Sequence, residues 1–177
     1  WIVLAVITGL VVGGASSIFA KCIVWASAYR TAHTMIFLML PLSGLLIVFL
    51  YEKYGSRDGG TNQVLATIKS RDSIPLISAP LIFVSTLLTH LAGGSAGREG
   101  VAVQIGATLS HWFARRFKFK NNGRVLLIAG MAAGFGGLFQ TPFAAVFFAM
   151  EVVVTGKMLY QAFLPSLVAA VTASTFS

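Results

Sequence analysis

Residues 93–106 read GGSAGREGVAVQIG. Four glycines fall within the eight residues 93–100, a composition that favours irregular backbone over helix. Two charges, Arg98 and Glu99, stand side by side between Gly97 and Gly100. The run before them, 73–97, carries no Asp, Glu, Lys or Arg, and the run after them is apolar again. From Val101 onward the residues read as helix. The stretch therefore predicts a helix whose first turn lies inside an apolar environment, at a glycine-rich turn.

The rest of the chain says what that environment is. Of 177 residues, 56% are hydrophobic and only 10% charged, where a soluble domain carries about 25% charged residues. Mean hydropathy is +0.84. The acids are Glu52, Asp58, Asp72, Glu99 and Glu151 alone. This is the composition of a membrane protein. The net charge of +8 is no nucleic-acid signal, because five of the thirteen basic residues crowd into one short loop.

Uncharged runs at 1–20, 31–51, 73–97, 125–150 and 158–177, with 99–114 broken only by Glu99, set out the spans. A helix needs about 20 apolar residues to cross the hydrocarbon core. The run from Glu99 to Ala114 reaches only about 24 Å as a helix, which suits one that begins within the membrane. Gly9, Gly13 and Ser17, and again Gly130 and Gly134, are spaced by four and predict small-residue faces for close helix packing. Pro41 falls near the middle of the second run, which a membrane helix tolerates when neighbours satisfy the freed carbonyl.

Basic loops orient the chain. Residues 111–124 carry Arg115, Arg116, Lys118, Lys120 and Arg124 and no acid, which places them in the cytoplasm. The segment 52–72, with four basic and three acidic residues, falls on the same side. The helix from Glu99 then runs toward the cytoplasm, the next returns, and a third from about Thr141 descends and carries Glu151 inward.

Cys22 is alone, so the chain forms no internal disulfide. His33, His90 and His111 are scattered without metal spacing, and no metal or cofactor is expected. No enzyme motif appears, and catalysis is not expected. The chain starts at Trp1 rather than Met, which reads as a fragment with its N-terminus missing and shows no signal peptide.

A buried helix start with free N–H groups favours an anion; transport proteins use broken helices in this way. Irregular backbone at membrane depth is tolerated only against protein or a watery cavity. Glu99 fits as a side chain that occupies the place when ionised and leaves it when protonated. Arg98 fits as a pin on the turn's carbonyls. The plainer reading is a buried Arg98–Glu99 pair fastening two helices, although ionisable residues within membrane spans are usually functional. A second candidate terminus lies at 58–64, DGGTNQV, where Thr61 suits an N-cap or an anion donor. A capped cytoplasmic loop explains that stretch equally well.

Together these residues resemble the CLC family of chloride channels and anion/proton antiporters. GREGVAVQIG (97–106) is similar to the family's GREGP motif and the VQ-x-G after it. FQTPFAAVFFAMEV (139–152) is similar to a later helix that usually reads FN-x-P-x-A-G and ends in acids. GGTNQV (59–64) stands where the family has GSGIP. The resemblance implies an all-α polytopic fold of tilted and broken helices, built of two inverted repeats and dimerising. Residues 1–177 would be the N-terminal half, the helices usually lettered B to I, with the second half absent. It implies that Glu99 is the gating and proton-carrying glutamate. Gly97, Arg98, Gly100 and Val101 would frame the anion, and Thr61 would take the place of the central serine. The family's later GxFxP motif and inner-gate tyrosine have no counterpart in this chain, and Tyr160 does not substitute.

Three departures bear on the substrate. Val101 replaces the proline of GREGP, Thr61-Asn62-Gln63 replaces Ser-Gly-Ile, and Val152 stands where chloride/proton antiporters carry the second acid after Glu151. These resemble the fluoride-exporting branch, whose members exchange fluoride for protons. Fluoride is small and strongly hydrated, so its site must replace water with donors, and Asn62 and Gln63 could add them. The expected partners are fluoride or chloride, protons, the lipid bilayer and a second copy of the chain. The expected location is the plasma (inner) membrane of a prokaryote, crossed several times. A chloride channel or chloride/proton antiporter is the alternative, and a non-transporting membrane scaffold the third reading.

Overall fold

The computed structural model describes residues 2–55, 60–70, 73–117, 123–153 and 159–177, without the side chains of 67–70. Among them are eight α-helices and no strand: α1 Ile2–Ala32, α2 Leu40–Tyr54, α3 Thr61–Ser70, α4 Ser78–Leu91, α5 Arg98–Arg116, α6 Gly123–Phe139, α7 Pro142–Val153 and α8 Phe163–Phe176. The architecture is the expected all-α one.

α6 is the centre, packed by α1, α5, α7 and α8. Its sequence explains why. Lipid tails are as apolar as leucine, so helices in a membrane associate through close packing rather than through escape from water. Gly130 of α6 lies directly against Gly106 and Ser110 of α5, and Gly134 against Ala102 and Gly106. A Cβ on any of these three glycines would strike backbone. The same device joins α1 to α8: a Cβ on Gly13 would stand 2.8 Å from the Cα of Ala173. Ser16 adds a hydroxyl that donates to the Gly134 carbonyl over 3.3 Å. The faces predicted from Gly9, Gly13, Gly130 and Gly134 are thus real contacts. Ser17 falls off that face and donates to Ser177 O instead.

The second apolar run differs from its expected form. A short 3-10 helix, Thr34–Met39, precedes α2, and Pro41 falls in the first turn of α2 rather than in mid-span. Proline there costs no hydrogen bond, because N–H groups of the first turn have no intrahelical partner. No residue of α2 is buried, so Leu42, Leu45, Val48 and Phe49 are exposed. In a membrane protein such a surface meets lipid or further protein rather than water.

α4 and α5 form the hairpin that carries the glycine-rich turn. α4 has 14 residues and rises about 21 Å, too short by itself to cross the ~30 Å hydrocarbon core. The end of α4 shows why glycine is needed. Gly93 has φ +90, a conformation that side-chain-bearing residues avoid. Its N–H donates to His90 O over 3.2 Å, and that of Gly94 to Thr89 O over 2.8 Å. This is the Schellman pattern of helix termination.

Candidate functional site

Gly97 is the residue before α5, with extended backbone at φ −68 and ψ 129. The helix begins at Arg98, three residues earlier than the sequence pattern suggested. Arg98, Glu99 and Gly100 therefore form its first turn. No side chain caps this end, since Gly97 has none to offer. The free N–H groups of the first turn and the positive end of the helix dipole coincide here. Glu99 is the acid in that turn.

Gly97, Arg98 and Glu99 are all exposed in this chain, so they are not a buried pair fastening two helices. The preceding turn is held by the backbone bonds of Gly93 and Gly94, with Arg98 exposed beyond it.

α3 brings the second terminus to the same place. Gly60, at φ +63, holds the cap position: its carbonyl accepts the N–H of Gln63 at 3.1 Å and of Val64 at 3.4 Å. Thr61 is the first helical residue rather than the N-cap expected of it. Its hydroxyl is turned toward α5. Thr61 Oγ1 lies 3.2 Å from where a Cβ on residue 100 would stand. Glycine at 100 lets that hydroxyl approach the first turn of α5. Two helix starts far apart in sequence thus meet, the Thr61 hydroxyl against the first turn of α5, the turn that also carries Glu99. Asp58 and Gly59, the front of that motif, lie outside the described residues.

Other expected site residues stand elsewhere. The Val101 side chain is 4% exposed and packs with Phe19, Ile23, Ala79 and Ile105, so it faces the core. Asn62 is exposed. Gln63 lines a cavity with His111 and Arg115, toward the far end of α5. Of the two extra donors suggested by the sequence, Asn62 is exposed next to Thr61 in the chain and Gln63 faces this cavity. Glu151 is exposed near the end of α7, and Val152 packs against the main core cluster. Tyr160 is exposed.

Sequence reading missed two contributors. The contact of Gly106 with Gly130, and the Ser16 hydroxyl on Gly134 O, fix α5 and α1 against the α6 centre. The signal for the first was present only as a pattern: Ala102, Gly106 and Ser110 recur every four residues.

A family profile of the voltage gated chloride channel matches residues 43–177. The chain belongs to this CLC family. A "Chloride/fluoride channel protein" of Pseudomonas syringae pv. tomato is 35% identical over 176 residues, 98% of this chain and 39% of the relative. An uncharacterized protein of Methanocaldococcus jannaschii is 29% identical over 171 residues, 97% of this chain and 42% of the relative. Among solved structures, the crystal structure of a CLC-type fluoride/proton antiporter superposes with a TM-score of 0.95 at 44% identity. It is matched by 99% of this chain and over 45% of its own length. The chain thus spans less than half the length of these CLC relatives. CLC proteins are integral to membranes, which agrees with the composition and the exposed apolar surface of α2.

Proposed function

We propose that this chain forms the first half of a CLC transport domain that exports fluoride in exchange for protons. The observation that carries the proposal is the convergence of the Thr61 hydroxyl and the uncapped first turn of α5 at Gly100, beside Glu99. In this reading the ionised carboxylate of Glu99 occupies the donors at the helix start. A proton from solution binds the carboxylate and neutralises it. The neutral side chain leaves, and a fluoride ion takes the N–H donors and the Thr61 hydroxyl. Release of the proton on the other side returns the carboxylate and displaces the anion. Gly97 and Gly100 keep side chains out of the way, and Arg98 adds positive potential in the same turn.

Support for fluoride comes from the departures at Thr61, Val101 and Val152, and from the fluoride named in both the antiporter and the bacterial channel relative. A second half, a homodimeric assembly and a prokaryotic plasma membrane belong to the same proposal. A channel or a chloride transporter is the competing reading, favoured by the word channel in the bacterial relative's name.

The test is transport by the full-length protein in liposomes, recording fluoride efflux and proton uptake together. Proton uptake that accompanies fluoride efflux, and is lost in Glu99→Gln, is the expected result. Fluoride flux without proton movement identifies a channel. A strong preference for chloride rejects the fluoride reading, and anion flux unchanged in Glu99→Ala rejects the role of Glu99.

A further inference from the structure

A cavity of about 550 Å³ lies at the far end of α5, lined by His111, Trp112, Arg115 and Arg116, with Gln63 and Ser73 among the facing residues. Its arginine end is remote from the Glu99 turn: Arg115 stands sixteen positions after Glu99, about 24 Å along a helix, while Gln63, two residues from Thr61, lines its near wall. No acid is among its described lining residues. His111 Nε2 is covered and has no hydrogen-bond partner among the described residues. Arg115 and Arg116 are exposed at the helix end, where the positive-inside rule sets the cytoplasmic surface.

We propose that this cavity binds the phosphodiester headgroup of an anionic phospholipid from the cytoplasmic leaflet. Two guanidinium groups supply forked donors that match phosphate oxygens. His111 and Gln63 add polar groups in the wall. The surroundings distinguish a lipid from a free anion. Trp112 is 43% exposed, and aromatic side chains of this kind collect at the level of the headgroups. Phe117, Leu76 and Ile77 are exposed around the same end, an apolar rim that acyl chains cover and a dissolved anion does not need. Basic pockets between membrane helices on the cytoplasmic side are suited to such headgroups. The bound lipid would brace α3 and the segment leading into α4 against the end of α5, since the lining residues come from all three regions.

The experiment is native mass spectrometry of the full-length protein purified in detergent with phosphatidylglycerol or phosphatidylcholine added. Phosphatidylglycerol is expected to be held in preference. Arg115→Gln with Arg116→Gln should weaken its retention about thirtyfold, the effect of two charges at an anionic surface. Replacing both arginines by lysine should restore part of it, which separates loss of charge from loss of fold. Arg30→Gln, at the opposite end of the fold, should leave retention unchanged. Equal retention in the wild type and the Gln pair overturns the proposal, as does equal retention of the two lipids. Full displacement of phosphatidylglycerol by millimolar inorganic phosphate overturns the lipid as the occupant.

Discussion

Thr61 Oγ1 stands 3.2 Å from the position of a Cβ on residue 100, so the hydroxyl of one helix start rests against the bare α-carbon of another. An alanine at 100 requires the threonine to yield by a few tenths of an ångström. Gly100→Ala is expected to weaken fluoride binding about tenfold by pushing the hydroxyl off its line, the loss of one hydrogen bond to a charged group. Titration calorimetry of the full-length protein with fluoride measures it.

The hydroxyl itself is the second handle. Thr61→Val keeps the shape and removes the donor, and should cost about tenfold or more in fluoride affinity. Thr61→Ser keeps the donor and should stay within about threefold of the wild type. Loss in Thr61→Ser with little change in Thr61→Val would show that the methyl group, not the hydroxyl, matters.

Glu99→Gln removes the titrating group while preserving size. Proton uptake during fluoride efflux should fall to the background of protein-free liposomes. Retention of wild-type stoichiometry in paired pH and fluoride recordings sinks the assignment.

The glycines of the helix contacts divide sharply. Gly130→Ala forces a Cβ into Ser110 and the Gly106 carbonyl and should destabilise the fold by about 3 kcal/mol, the upper range for overpacking. Gly44, inside α2, has nothing within 4 Å of its Cβ position. Gly44→Ala should instead stabilise by about 0.5–1 kcal/mol through helix propensity. Thermal unfolding in one detergent compares the pair directly.

Gln140 ends α6 in the left-handed region at φ +57, which costs a side-chain-bearing residue about 1–2 kcal/mol. Its backbone N–H caps Gly136 O at 2.9 Å and its side-chain amide donates to Gly137 O at 3.3 Å. Gln140→Gly relieves the strain and loses the second bond, for a net gain of about 0.5 kcal/mol. An unchanged or lower melting temperature would show that the amide bond outweighs the strain.

Much of the fold was legible. The uncharged runs located the spans because a membrane tolerates few charges, and small residues spaced by four announced the close contacts of α1 and α6. Local chemistry was less secure at helix boundaries. Thr61 reads as a cap, yet Gly60 takes that position because its positive φ turns the chain into α3. Val101 reads as part of the anion frame from its place in the motif, but it is the fourth residue of α5, where the side chain rotates away from the terminus and into the core. Gln63 reads as a neighbour of Thr61, but two residues along a helix is a turn of about 200°, which sends it to the cavity instead.

By itself, the sequence determined that this is a helical membrane protein and that a glycine-rich turn carries one ionisable carboxylate at a helix start. Those features depend on composition and on neighbours within a few residues. The tertiary structure decided that Thr61 meets Gly100, that the Val101 side chain turns into the core and that Gln63 lines a cavity. It also decided that Gly106 rests on Gly130. Such choices depend on how α3 and α6 pack against α5, through contacts between residues far apart in the chain, and helical periodicity names a face without naming what that face will touch.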